Sequence, residues 1–109
     1  MKNNQYTYAL GLDFGTESVR ALLINAVDGA IIASSIEKYS DGVIDLTLPC
    51  GRELGPDWAL QNPADWLNTA EVTIKKVIMD SAIDPQEIRG IGIDFTSCTV
   101  LPVKMDGTP

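Results

Sequence analysis

The sequence predicts an α/β fold in which three antiparallel strands precede one helix and a strand parallel to the first. Apolar segments at 6–12 and 19–24 flank a short polar link, and an Asp28-Gly29 turn separates the second segment from a third strand. One amphipathic helix then precedes another apolar segment at 88–94. Because a helical crossover joins strands that run in parallel, this last strand is expected to lie beside the first.

Turn and cap signals place the elements between these strands. The third strand is predicted over 31–35, and the glycine and proline residues between 40 and 60 indicate a long loop. The pair Asn62-Pro63 predicts the start of the helix, since asparagine caps helices and proline suits their first turn. Apolar residues then recur on one stripe that we expect to be core: Trp66, Ala70, Ile74, Val77 and Ile78.

The end of the chain repeats these signals. Asp84-Pro85 predicts one short helical turn. The apolar run 88–94 predicts a buried strand, and 100–103 predicts a further strand before a turn at Asp106-Gly107.

Composition excludes several classes of protein. A chain of 109 residues is one domain or part of one, and its net charge of −7 argues against a nucleic-acid surface. The absence of histidine excludes that residue as a base or metal ligand here. No apolar run is long enough to span a bilayer and no leader-like segment opens the chain, so we expect a cytoplasmic protein without a membrane partner. Cys50 and Cys98 fit no metal spacing and are expected to be reduced thiols.

The polar link between the first two strands carries the clearest functional signal. It reads Asp13-Phe14-Gly15-Thr16-Glu17-Ser18-Val19-Arg20. On an extended strand Thr16, Ser18 and Arg20 leave from the same face, beside a glycine turn with open backbone amides. Donors in a row suit phosphate oxygens, and the carboxylate of Asp13 suits hydrated magnesium. The link therefore predicts a nucleotide-phosphate hairpin, with an ordinary polar β-turn as the alternative.

Two further expectations concern the surroundings of this hairpin. Arg20 lies within an apolar strand, so its charge is expected to have an anionic partner. The strand at 88–94 ends in a second polar cluster, and parallel pairing would bring Asp94 and Asp13 to the same edge of the sheet. Ligands of open α/β sheets bind at that edge. We therefore expect Asp13 and both polar strand ends to face one cleft, in which the segment 96–99 forms a substrate wall unless it is merely a turn.

These residues resemble the FGGY carbohydrate kinases, members of the actin-like ATPase superfamily with its ribonuclease H-like fold. The run 13–20 is similar to the first phosphate motif of the family, and 43–49, 58–65 and 91–103 resemble its bacterial L-ribulokinase branch. The segment Thr96-Ser97-Cys98-Thr99 discriminates best, because related xylulokinases tend to carry Gln-Met-His there and glycerol kinases Gln-Arg-Glu. The resemblance covers essentially the whole chain.

The resemblance implies ATP-dependent phosphorylation of ribulose to ribulose 5-phosphate in arabinose catabolism, with ATP and Mg²⁺ as cofactors. By this resemblance Asp13 would orient magnesium through water, Gly15 and Thr16 would hold the phosphates and Arg20 would neutralise their charge. The pair Ser97-Cys98 matches the sugar-contacting pair of the family. Together with the spacing argument, the candidates are Asp13 for magnesium through water; Gly15, Thr16, Ser18 and Arg20 for the ATP phosphates; and Thr96, Ser97 and Cys98 for the sugar.

Members of this family are several times longer, with two actin-like domains around a cleft. The resemblance therefore implies that 1–109 is the amino-terminal part of the first domain and is inactive alone, with the catalytic aspartate and adenine pocket beyond Pro109. Homo-oligomerisation of the full-length enzyme stays open. Three alternatives remain: another FGGY kinase acting on xylulose, ribitol or a different polyol; an actin-like nucleotide switch; and a stand-alone interaction module.

Overall fold

The computed structural model describes residues 7–109, which form a four-stranded sheet with one long helix packed on one face. The sheet order is β3-β2-β1-β4, with antiparallel pairing among the first three strands of the chain and parallel pairing of β4 with β1. This confirms the predicted meander followed by a helix and a parallel strand. The strands are β1 (Tyr8–Phe14), β2 (Ser18–Asn25), β3 (Ile31–Lys38) and β4 (Ile88–Phe95).

The strand bounds differ slightly from the predicted ones. Tyr6, the predicted start of the first strand, lies outside the described residues. β3 extends beyond Ser35 to Lys38, because its pairing with β2 continues as far as the partners Ser18 and Lys38. The predicted turn between β2 and β3 is present: Gly29 adopts φ 75°, which glycine tolerates without strain, and its N–H donates to the Asn25 carbonyl at 2.8 Å.

The long helix α1 (Pro63–Ser81) begins at the predicted cap. The Asn62 side chain accepts a hydrogen bond from the Ala64 N–H at 3.1 Å, and the helix ends at Ala82 in the left-handed conformation. A short 3₁₀ helix, Pro85–Glu87, follows with its own aspartate cap, as the sequence predicts. The segment between β3 and α1 is a loop, closed at its base by paired backbone hydrogen bonds between residues 44 and 60.

The core lies between α1 and the sheet, but the predicted helical stripe is only partly correct. Leu10 and Leu23 of the sheet pack in one buried cluster with Val77 of α1. Trp66, predicted as core, is only half-buried. The helix instead buries several polar side chains: the Thr69 hydroxyl donates to the Asp65 carbonyl within the helix, whereas the buried Thr73 hydroxyl has no partner among the described residues. Buried on this face are Asp65, Thr69, Ala70, Thr73 and Val77, while Ile74 and Ile78 are half-buried.

β4 is exposed along most of its length, so the prediction of a buried strand is wrong for this chain. Its register with β1 places Ile91, Ile93 and Phe95 on the helix side of the sheet, yet these side chains are 59%, 61% and 69% exposed. The reason is that α1 packs mainly over β2 and β3. An apolar strand is buried only where another element covers it, and residues 7–109 supply no such cover.

The predicted strand at 100–103 is also absent from the described part of the chain. A strand needs a neighbour to complete its hydrogen bonds, and no other strand of residues 7–109 lies beside this segment. The predicted turn at Asp106-Gly107 does form: the Gly107 N–H donates to the Lys104 carbonyl at 2.9 Å, and the Lys104 N–H donates to Thr108 at 2.8 Å.

Two expectations from composition can be compared with the structure. Cys50 and Cys98 are both free and exposed, as expected for thiols rather than a disulfide. No helix formed by residues 7–109 has both the length and the apolar character needed to cross a bilayer.

Candidate functional site

The polar link between β1 and β2 folds as a tight turn. The Gly15 N–H donates to the Ser18 carbonyl at 2.8 Å, and Thr16 and Glu17 form the exposed tip. β2 begins only at Ser18, so strand alternation places Ser18 and Arg20 on one face but does not extend to Thr16. The expected row of three side chains on one strand is therefore wrong for Thr16, which lies in the turn itself.

The carbonyl groups of this turn are held by residues from distant parts of the sequence. The Tyr39 hydroxyl donates to the Gly15 carbonyl at 3.0 Å, and the Gln61 amide donates to the Thr16 carbonyl at 2.9 Å. The backbone N–H of Tyr39 donates to the Glu17 carbonyl at 2.9 Å. Within residues 7–109, the N–H groups of Thr16 and Glu17 have no hydrogen-bond acceptor. The exposed side of the turn therefore presents hydrogen-bond donors.

A cavity of about 550 Å³, here called the turn cavity, joins the hairpin turn to the polar segment after β4. Thr16 of the turn and residues 96–102 both line it, together with Trp66 at the start of α1. The two walls are connected directly, because the Thr96 N–H donates to the Phe14 carbonyl at 3.1 Å. The prediction that the two polar strand ends meet at one cleft is confirmed for these residues.

The segment after β4 presents its polar groups through an unusual turn. Cys98 adopts φ 66°, a left-handed conformation that is uncommon for a residue with a Cβ. The hydroxyl oxygens of Thr96 and Thr99 lie 2.9 Å apart and join the two ends of the turn. Ser97 and Cys98 are exposed at its tip, and both line the turn cavity. A hydroxyl and a thiol are therefore available to a polar ligand in that cavity.

Asp13 and Arg20 do not line the turn cavity, contrary to the expectation that Asp13 faces the same mouth. Strand alternation turns them to the sheet face opposite α1, where they line a second depression of about 490 Å³, here called the strand groove. Asp94 lies in the same groove, and the paired glycines Gly11 and Gly92 form part of its floor. Of the candidate residues, Thr16 and the segment 96–98 line the turn cavity and Asp13 and Arg20 line the strand groove, whereas Gly15 and Ser18 line neither depression.

The expected anionic partner of Arg20 is absent from residues 7–109. Arg20 is exposed, and the only ion pair in this range joins Lys75 to Glu71 on the surface of α1. The assumption that the charge of Arg20 is buried was wrong. Alternation along β2 points this side chain away from the core and into solvent, and water hydrates the guanidinium there. An exposed guanidinium is free to bind an external anion such as a phosphate.

The carboxylates of the strand groove suit a hydrated Mg²⁺ ion better than a metal ion that is held by three or more protein side chains. No group of three or more potential metal-binding side chains occurs within residues 7–109. Asp13 and Asp94 nevertheless sit side by side as register partners. Mg²⁺ keeps several of its waters and needs only one or two carboxylates beside substrate phosphates, so this donor set fits a hydrated ion.

Tyr39, which supports the turn, remains protonated well into the alkaline range. Burial raises the pKa of its phenol, and the carboxylates of Asp13 and Asp65 raise that pKa further. A protonated phenol is a hydrogen-bond donor, as its bond to Gly15 requires. Sequence reasoning assigned no role to Tyr39 or Gln61, although Gln61 lies in the segment 58–65, because each contacts the turn over a long sequence separation.

The known relatives of this chain identify its family. Residues 8–108 match the model of the N-terminal domain of the FGGY family of carbohydrate kinases. This chain belongs to that family. The FGGY domain is 46% identical over 103 residues to a ribulokinase from Shouchella clausii and 50% identical over 93 residues to one from Bacillus licheniformis.

These alignments include most of this chain but only a small part of each relative. They cover 94% of the chain and 18% of the Shouchella clausii protein, and 84% of the chain and 17% of the Bacillus licheniformis protein. The FGGY domain therefore spans about a fifth of the length of the curated relatives that it matches.

Solved structures support the same fold. A xyloylose kinase from Brucella ovis superposes with a TM-score of 0.60 at 28% identity, covering 81% of this chain and 16% of that protein. A xylulose kinase from Rhodospirillum rubrum gives a TM-score of 0.68 at 22% identity, covering 93% of this chain and 18% of that protein. The four-stranded sheet and its helix are thus the α/β arrangement of sugar kinases with the actin-like ATPase fold.

Proposed function

We propose that this FGGY domain supplies the phosphate-facing and sugar-facing walls of an ATP-dependent ribulose kinase. The observation that supports this most directly is the turn cavity, which Thr16 of the hairpin and residues 96–99 line together. A phosphoryl transfer enzyme must hold the donor phosphate and the acceptor hydroxyl next to each other. One cavity between a turn rich in N–H donors and a polar turn offers that arrangement.

On the nucleotide side, the proposed roles follow from the charge and exposure of each group. The open N–H groups of the turn and the Thr16 hydroxyl would donate to phosphate oxygens beside Gly15, and Ser18 adds a second hydroxyl. The exposed guanidinium of Arg20 would neutralise phosphate charge. Asp13 would orient the waters of a hydrated Mg²⁺, whose contribution when bound is to offset charge on the phosphoryl oxygens.

On the sugar side, Thr96, Ser97 and Cys98 would contact the substrate. Their hydroxyl and thiol groups are exposed to the turn cavity, where they can bond to the hydroxyl groups of a pentulose. Ribulokinases that are 41–50% identical to this chain support ribulose as the substrate, with ribulose 5-phosphate as the product. Such an enzyme would serve arabinose catabolism in the cytoplasm.

The remaining parts of the site would come from residues beyond Pro109. Phosphoryl transfer to a hydroxyl needs a carboxylate that accepts the proton and a pocket for the adenine. Neither is assigned within residues 7–109, and the relatives are about five times longer than the aligned segment. We propose that 1–109 is an incomplete first domain and that the catalytic aspartate lies downstream.

The main alternative is an FGGY kinase for a different polyol such as xylulose or ribitol. The likeness to a xyloylose kinase at 28% identity is compatible with it, but the identity to ribulokinases is higher. An actin-like nucleotide switch is the second alternative, and it would not require a polar wall opposite the phosphate turn.

A comparison of acceptors tests the proposal. ADP release by the full-length polypeptide would be measured with Mg-ATP and ribulose, xylulose, ribitol or no sugar. The proposal predicts the largest kcat/KM with ribulose and little ADP release without sugar. A preference for xylulose or ribitol would support the first alternative, and equal ADP release without any sugar would support the nucleotide switch.

A further inference from the structure

The hairpin turn shows an asymmetry between its hydrogen-bond donors and acceptors. Each carbonyl of Gly15, Thr16 and Glu17 accepts a hydrogen bond from Tyr39 or Gln61. The N–H groups of Thr16 and Glu17 have no acceptor within residues 7–109. A peptide unit carries its N–H and C=O on opposite sides. Hydrogen bonds from Tyr39 and Gln61 to the carbonyls therefore direct the N–H groups of the turn away from these two residues.

We propose that Tyr39 and Gln61 are positioning residues that hold the backbone N–H groups of this turn in the direction required to bind the ATP phosphates. This inference rests on the proposed kinase function. It adds two residues outside the polar hairpin sequence, which act on the nucleotide through the backbone of the turn.

Tyr39 is well placed for this role because it contacts the turn twice. Its side chain is 7% exposed, and its hydroxyl and backbone N–H reach the carbonyls of Gly15 and Glu17 at 3.0 Å and 2.9 Å. It directly follows β3, so its backbone is fixed by the sheet. A buried donor on a rigid element limits the directions that the turn can adopt.

Gln61 holds the middle carbonyl of the turn from the helix side. It lies immediately before Asn62, the cap of α1, and its amide donates to the Thr16 carbonyl at 2.9 Å. The turn is therefore fixed between the sheet and the start of the helix. The turn is also closely packed, since a Cβ at Gly15 would lie 3.2 Å from the Ser18 carbonyl oxygen. Small changes in its supports should therefore change its geometry.

The test compares two pairs of variants in the full-length kinase. Tyr39→Phe and Gln61→Met each remove one donor to the turn and preserve side-chain size. Tyr8→Phe and Gln86→Met are matched controls far from the turn, at the start of β1 and in the 3₁₀ helix. Steady-state kinetics would give separate KM values for Mg-ATP and for ribulose, and thermal melting would report folding.

We expect Tyr39→Phe and Gln61→Met each to lower kcat/KM for Mg-ATP about tenfold, the size of effect typical of one lost hydrogen bond. The KM for ribulose should stay unchanged, because a positioning role acts on the nucleotide only. If Tyr39→Phe has a lower melting temperature than the wild type, its kinetic effect could come from lost stability, and the test then depends on Gln61→Met. The half-buried side chain of Gln61 contributes less to the core.

Two results would overturn the inference while leaving the proposed function intact. In the first, both variants match their controls in kcat/KM for Mg-ATP. In the second, Gln61→Met raises the KM for ribulose as much as that for Mg-ATP, which indicates a direct sugar contact. A wild-type protein that phosphorylates no sugar would instead overturn the proposed function together with this inference.

Discussion

Asp13 on β1 and Asp94 on β4 are direct register partners across the parallel pair of strands, and both line the strand groove. Arg20 on β2 is the partner of Asp13 on its other side. Paired residues project from the same face of a sheet, so two carboxylates and one guanidinium form a row across three strands. This row lies beside the turn proposed to bind phosphates, where a magnesium-nucleotide would bring both a cation and anions.

Replacing Asp13 tests the proposed magnesium role. We expect Asp13→Asn in the full-length kinase to raise the Mg²⁺ concentration needed for half-maximal rate about tenfold, since an amide lacks the charge that attracts the hydrated ion. A magnesium titration of the rate at saturating ATP and ribulose measures this. Asp80→Asn, on the exposed face of α1, is the control. An unchanged magnesium requirement would remove Asp13 from the metal site.

Replacing Arg20 tests the phosphate assignment. We expect Arg20→Ala to lower turnover at least roughly a hundredfold, because one donor aimed at a transferring phosphate typically contributes about 3 kcal/mol. The fold should be unaffected, since Arg20 is exposed. Arg89→Ala, at the opposite end of the sheet, provides a matched control for the loss of one exposed guanidinium. Near-normal turnover of Arg20→Ala at saturating ATP would show that the assignment is wrong.

The location of the core is tested by a pair of leucines. Leu23 of β2 is 0% exposed, whereas Leu67 of α1 is 77% exposed. We expect Leu23→Ala to lower the free energy of unfolding by about 2–5 kcal/mol and Leu67→Ala to lower it by less than about 1 kcal/mol. Urea unfolding followed by circular dichroism measures both. Similar losses in the two variants would contradict the assignment of the core to the sheet side of α1.

Tyr39 should make stability depend on pH in the alkaline range. Its pKa is raised in the folded state, chiefly by burial and then by Asp13 and Asp65. The unfolded chain therefore loses the phenolic proton first, and stability falls as the pH rises above the ordinary tyrosine pKa of about 10. The contribution is fully present below that pH.

Unfolding free energies of wild type and Tyr39→Phe, measured between about pH 8 and pH 11, would isolate this effect. We expect the difference between the two proteins to shrink as the pH rises, because only the wild type carries the titrating phenol. A constant difference over this range would contradict the burial of Tyr39 against the turn.

Local signals in the sequence were sufficient for most of the fold. The turn at Asp28-Gly29 and the cap Asn62-Pro63 each determine the backbone within a few residues, and both form as predicted. The pairing of β4 with β1 followed from a general rule about helical crossovers. The shared cavity between Thr16 and the segment 96–99 followed in turn from that pairing.

The wrong predictions concern residues whose burial depends on which other element packs over them. The apolar pattern of β4 resembles that of a buried strand, but no element of residues 7–109 packs on Ile93 or Phe95. Arg20 was misjudged for a related reason, since its exposure depends on which face of the sheet α1 occupies. Tyr39 and Gln61 could not be found from spacing, because their contacts with the turn span 24 and 45 residues of sequence.

The central claim, that this chain holds one part of a divided kinase site, is tested most directly by a single comparison of activity. ADP release with Mg-ATP and ribulose would be measured for residues 1–109 and for the full-length polypeptide in parallel. We predict sustained turnover by the full-length polypeptide and none by residues 1–109. The shorter chain should also bind Mg-ATP with a Kd weaker than about 1 mM, because phosphate contacts on an exposed acidic surface provide only ~4 kcal/mol or less. Sustained turnover by residues 1–109, or none by the full-length polypeptide with any pentulose, would contradict the account.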